Sequence, residues 1–123
     1  QMAIEQHLAE IKTVKGYQAC GVMHFAGDLL AYDSVAPNID LALVGATFND
    51  VFRTAHEVCD KIGLEAAHEM VLQTPRGTIV MLCSGPKAKA HFHMITILTN
   101  DGNQALAKMQ MEKSVPGITG ELA

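Results

Sequence analysis

Two stretches of the chain, Ile79-Val80-Met81-Leu82-Cys83 and Met94-Ile95-Thr96-Ile97-Leu98, are apolar almost without interruption. A strand with one face in water alternates apolar and polar residues, because successive side chains point to opposite sides. Strands without that alternation are covered on both faces, so helices are expected on each side of the sheet. Turn residues separate the strands. Gly27-Asp28 divides 19–26 from 29–33, Pro75-Arg76-Gly77 divides 68–73 from 78–83, and Ser84-Gly85-Pro86 precedes 91–99. Connections this short join antiparallel neighbours, and one long segment remains to cross the sheet.

That segment, residues 39–63, reads as a helix capped by Asn38 or Asp40 and ended by Gly63. Its apolar positions are Leu41, Val44, Phe48, Val51, Phe52, Ala55, Val58, Cys59 and Ile62. At about 100° per residue they span an arc of roughly 120°, wider than one packing stripe requires. A helix resting only on its own sheet could leave Phe52 and Cys59 polar, so the surplus points to a second surface. An amphipathic helix is also expected over 3–15, from Ile4, Leu8, Ile11 and Val14, with Gly16 as its stop. A last helix is expected over 103–113, with a loose tail from Pro116 to Ala123. Gln1 precedes Met2, which reads as the natural start. The expected class is α/β (α+β), with a mostly antiparallel five-stranded sheet and helices on both faces in the order α-β-β-α-β-β-β-α. One domain is expected over 1–123, with its core in 3–113.

Composition bears on what such a domain can bind. The net charge is −4, and Lys12/Lys15 and Lys87/Lys89 are only short pairs, which argues against nucleic acid and anionic membranes. Aromatic residues make up 5%, too few for base-stacking platforms. No apolar run approaches the roughly 18 residues that a membrane span needs. Cys20, Cys59 and Cys83 are odd in number and scattered, the pattern of buried thiols in a reducing, cytoplasmic setting.

Catalytic patterns are sparse. Nothing near the three cysteines offers a cationic pocket or a nucleophile elbow. Gly85-Pro86-Lys87 lacks the glycine spacing and the hydroxyl residue of a phosphate loop. The chain is therefore read as no enzyme and as needing no cofactor. One metal reading stands as an alternative. His91 and His93 share a strand face, and together with His24 they would make up a zinc or copper ligand set. Imidazoles filling polar gaps under a helix would give the same pattern.

The element order, together with Gly21-Val22, Gly27-Asp28-Leu29, the 39–63 helix and the 77–98 meander, resembles the roadblock / dynein-light-chain family over residues 3–113. The resemblance implies a profilin-like fold with the first strand beside the fifth. It also implies a dimer in which the long helices pack together and the third strands pair edge to edge. The contact is then expected on Val44, Phe48, Val51, Phe52, Ala55 and Cys59, with the edge at His68, Met70 and Leu72. Bacterial and archaeal members resemble regulators of small Ras-like GTPases, and eukaryotic relatives act as scaffolds in dynein and lysosomal complexes. The implied partners are a second copy, a small GTPase or another roadblock-like protein. A ligand or metal sensor using His24, His91 and His93 is the second reading. The chain departs from the family in carrying these histidines where apolar residues are usual.

Overall fold

The computed structural model describes residues 2–123, so Gln1 at the head of the expected domain lies outside the described residues. Five strands form one sheet: β1 (Tyr17–His24), β2 (Leu29–Ser34), β3 (Glu69–Thr74), β4 (Gly77–Cys83) and β5 (Phe92–Thr99). Their spatial order is β2-β1-β5-β4-β3, and every pairing is antiparallel. The first strand lies beside the fifth, with Gly21 opposite Ile95. Helix α2 (Leu41–Lys61) carries the chain from the β2 edge to the β3 edge. Asp40 caps it by accepting a hydrogen bond from the Leu43 amide, which satisfies one of the unpaired donors of the first turn.

Both faces of the sheet are covered, as the uninterrupted apolar runs require. Val22, Leu82 and Met94 point to one side, among Leu8, Ile11, Met111 and Ile118. Ala19, Met23, Met81 and Ile95 point to the other, under Leu41 and Phe52 of α2. Neighbouring residues such as Leu82 and Met81 thus enter different cores, a consequence of the two-residue period.

Two helical expectations are corrected. The helix expected over 3–15 is short, α1 (Met2–Gln6), and the chain then proceeds by turns and a 3-10 turn at Ile11–Thr13. The apolar side chains still reach the core: Ile4, Leu8, Ile11 and Val14 are all buried. From Leu8 onward these residues recur every three positions, and the amides of Ile11, Val14 and Tyr17 each donate to the carbonyl three residues back. That spacing suits three residues per turn as well as it suits an α-helix. Gly16 does end the segment, at a φ of 85°.

The second correction concerns the C-terminus. Helix α3 (Gln104–Leu122) runs straight through Pro116, and the expected loose tail is docked. Proline inside a helix costs about 3 kcal/mol. Here Ile118 is fully buried, and Val115 and Leu122 pack against the same cluster, burial worth about 1.5–3 kcal/mol for each fully enclosed side chain. His7 Nε2, 3.1 Å from Glu121 Oε2, adds a polar contact to the last turn. Ile118→Val is expected to lower stability in urea unfolding by about 0.5–1.5 kcal/mol. A variant as stable as the parent would mean that this turn does not dock.

Candidate functional site

Helix α2 carries two apolar stripes. The inner one, Leu41, Gly45, Asn49 and Phe52, is buried on the sheet. A Cβ on Gly45 would sit 3.1 Å from the Met23 sulfur, so the glycine lets the helix lie close. The outer stripe is Val44, Phe48, Val51, Ala55, Val58 and Ile62, with alternating steps of four and three residues. This is the spacing of a heptad seam, which keeps apolar groups facing a second helix. Among the described residues no helix covers it: Val51, Val58 and Ile62 are 48%, 51% and 66% exposed. Strand β3 lies at the sheet edge and pairs only with β4 among the described residues. Met70 packs into the α2-side core, and Leu72, two residues on, shares that face and remains exposed.

The expected contact residues therefore divide. Val51 is exposed on the outer stripe and Leu72 flanks the open edge, whereas Val44, Phe48 and Ala55 are half-buried, Phe48 packing against the α2-side core. Phe52 does not belong with them; it is fully buried in its own core. Cys59 continues the inner stripe, half-buried. His68 is held toward α3, its Nε2 2.8 Å from Glu112 Oε2. Val58 and Ile62 fall outside the expected contacts, although their step of four completes the heptad pattern.

A second constellation lies between α2 and the sheet. His93 is directly opposite Cys83 across the β4–β5 ladder, and His91 falls two residues earlier on the same face. His56 comes down from α2, one turn beyond Phe52. One ligand atom from each of His56, Cys83, His91 and His93 lies within 4.8 Å of all the others. Phe52 packs at 4.9 Å from the His93 ring, and Phe25 stacks on His91 at 4.6 Å. The set differs from the expected His24, His91 and His93. The His24 ring turns to Phe25, at 4.3 Å, and its Nδ1 accepts the Ala26 amide 3.1 Å away. His56 and Cys83 replace it. Cys83 arrives from the adjacent strand through the β4–β5 register, and only the docking of α2 brings His56 into place.

Electrostatics keep these groups neutral. Burial pushes the His93 pKa down to about 3, helped by the nearby His56, His91, Arg53 and His24. Burial also lowers His56 and His91, each assisted by a neighbouring imidazole. The Cys83 thiol moves the other way, raised by burial despite a hydrogen bond from the Gly85 amide. Cys83 Sγ is 3.4 Å from His91 Nε2, but the pair is a thiol beside a neutral imidazole. A nucleophilic cysteine needs the reverse arrangement, a thiolate beside a cation.

Searched by sequence, the chain matches no family model and no curated protein. Solved structures match it by fold. The gliding protein MglB from Thermus thermophilus superposes with a TM-score of 0.83 at 15% identity, covering 99% of this chain and 91% of that one. A Roadblock/LC7 domain from Streptomyces avermitilis gives 0.79 at 10% identity, over 93% and 92% of the two chains. Profilin II of Acanthamoeba castellanii gives 0.55 at 14% identity, over 100% and 98%. The fold is roadblock-like and profilin-like. Among the described residues, no helix is long and apolar enough to cross a membrane.

Proposed function

We propose that the chain is a single roadblock-like domain that self-associates and acts by contact with a partner rather than by catalysis. The partner class is a small Ras-like GTPase or another roadblock-like protein, and the setting is cytoplasmic. The observation that carries this reading is the outer stripe of α2. Val51, Val58 and Ile62 stand exposed on it, beside an unpaired strand edge, a costly arrangement for a surface that stays wet. Two copies related by a twofold axis could bury both features together: the α2 seams against each other, and the β3 edges as one continuous sheet. The family resemblance supplies the GTPase as partner class, and the free thiols of Cys20, Cys59 and Cys83 suit a reducing compartment.

Sedimentation of the untagged protein tests the first step. A dimer is expected at micromolar concentration, and Val51→Asp/Val58→Asp is expected to run as a monomer with an unchanged circular dichroism spectrum. A parent protein that sediments as a monomer, or a double variant that remains dimeric, would remove the seam from the account. Binding to a purified small Ras-like GTPase, loaded with a GTP analogue or with GDP, tests the partner. Binding is expected to depend on the nucleotide; no binding in either state would withdraw the GTPase and leave self-association standing.

A further inference from the structure

We propose that His56, Cys83, His91 and His93 form a tetrahedral site for a borderline-soft d-block ion, with Zn²⁺ the ion that fits best. The site lies on the sheet-facing side of α2 and is independent of the outward seam.

Hydrogen bonding around His93 fixes which of its nitrogens is free. The Asn49 side-chain amide donates through Nδ2 to the Phe25 carbonyl at 2.8 Å. A carbonyl only accepts, so the Asn49 Oδ1 is the atom turned to His93, 2.7 Å from its Nδ1. His93 Nδ1 must then carry the proton and donate it, which leaves a lone pair on Nε2. That Nε2 is buried and has no partner, in a residue with no exposed surface. Such a bond from the far nitrogen to an oxygen is how metal-binding histidines are commonly oriented.

His56 adds to the case. Both of its ring nitrogens are buried without a hydrogen-bond partner. An unsatisfied buried polar group costs about 1–3 kcal/mol, and native proteins carry few of them. Here unpartnered nitrogens of two histidines converge on one spot beside a thiol and a third imidazole. A cation there would use a nitrogen from each.

The dimensions also suit an ion. With Zn–N near 2.0–2.1 Å and Zn–S near 2.3 Å, tetrahedral ligands lie about 3.3–3.6 Å apart. The Cys83 Sγ and His91 Nε2 atoms are already 3.4 Å apart. The widest separation in the set, 4.8 Å, closes by about 1 Å to reach that range, within reach of side-chain rotation. Three imidazoles and one thiolate offer no oxygen donor, which disfavours Ca²⁺ and Mg²⁺ and selects Zn²⁺ or copper. Four protein ligands complete a tetrahedron, the closed arrangement of a structural site. On binding, the Cys83 thiol gives its proton to solvent and coordinates as thiolate. The ion would join α2 to β4 and β5, clamping the inner stripe and so the direction in which the outer seam faces.

The test uses the full chain without a histidine tag, stripped with chelator and titrated with Zn²⁺ against a chromophoric competitor. One ion per chain is expected. Cobalt in place of zinc should give the intense visible bands of a tetrahedral centre and a thiolate-to-metal charge-transfer band in the near ultraviolet. Cys83→Ala should abolish the charge-transfer band, and His91→Ala should weaken Zn²⁺ binding by more than about 100-fold, beyond the 10–100-fold typical of losing an outer hydrogen-bond partner. His24→Ala should leave both readouts unchanged. Stoichiometric copper bound through the same ligands also sustains the site. If the parent binds no ion stoichiometrically, shows no thiolate band with cobalt, or retains its affinity in both Cys83→Ala and His91→Ala, the proposal fails. The cobalt spectrum is read on the parent protein, so poor folding of a variant does not leave the question open.

Discussion

Replacing Phe52 with alanine should destabilise the protein by about 3–5 kcal/mol, the range for emptying a buried aromatic site. The residue is fully enclosed, and its ring lies 4.4 Å from His56 and 4.9 Å from His93. The sheet beneath it is held by hydrogen bonds on both sides of β5, so the cavity has little freedom to collapse. Val51→Ala, one residue away, should behave differently. Val51 is about half exposed in the protomer, so its truncation removes little from the protomer's own core. Urea unfolding over a range of protein concentrations separates the two cases. The Phe52 deficit should persist at every concentration, whereas the Val51 deficit should fade on dilution as association stops contributing. A Phe52→Ala loss below about 1 kcal/mol would mean that the inner stripe of α2 is not its packing face.

Gly16→Ala is the second large effect, expected at about 3 kcal/mol from two costs that act together. Gly16 has a φ of 85°, a conformation that costs a residue with a Cβ roughly 1–2 kcal/mol. The added carbon would also lie 2.5 Å from the Gly102 Cα and 2.6 Å from the Thr99 Oγ1. Neither neighbour can easily withdraw. The Thr99 amide donates to the Gly16 carbonyl at 2.8 Å, and the Asn103 amide donates to the Lys15 carbonyl at 3.0 Å. Relief would require breaking the junction between the N-terminal segment, the end of β5 and the start of α3, an overpacking cost of about 1–3 kcal/mol. Gly63→Ala provides the control. It has the same φ, yet nothing lies within 4 Å of its Cβ position, so only the conformational penalty applies. Thermal or urea unfolding of the pair should show Gly16→Ala as clearly the worse. Equal losses would show that the close approach to Gly102 does not matter.

Much of the architecture is legible in the sequence because it depends on local chemistry. The apolar runs at 79–83 and 94–98 require helices on both faces, and the turn residues set the strand boundaries to within about two positions. Asp40 and Gly63 mark the ends of the long helix because capping is decided by the capping residue itself. The departures arise where local preference meets tertiary packing. Pro116 reads as a helix end on its own, but the enclosure of Ile118, with the half-buried Val115 and Leu122 packed on the same core, offsets the break. Likewise, a stripe of Leu8, Ile11 and Val14 fits two helical periods, and contacts with α3 favour the tighter one.

For the functional surfaces the division is sharper. Helical periodicity alone places the apolar side chains of α2 on too wide an arc for one sheet to cover, so the surplus is a property of the sequence. Which side chains form that surplus is not, since Phe52 and Val51 are equally apolar and differ only in the way the helix is rolled on the sheet. Docking settles it, with Phe52 inward and Val51 outward. Docking also replaces His24 with His56 and Cys83 in the histidine cluster. Strand alternation pairs His91 with His93 from sequence. Cys83, 8 residues before His91, joins them through cross-strand register, and His56 joins from a separate helix. Both depend on how distant segments pack, which no local pattern encodes.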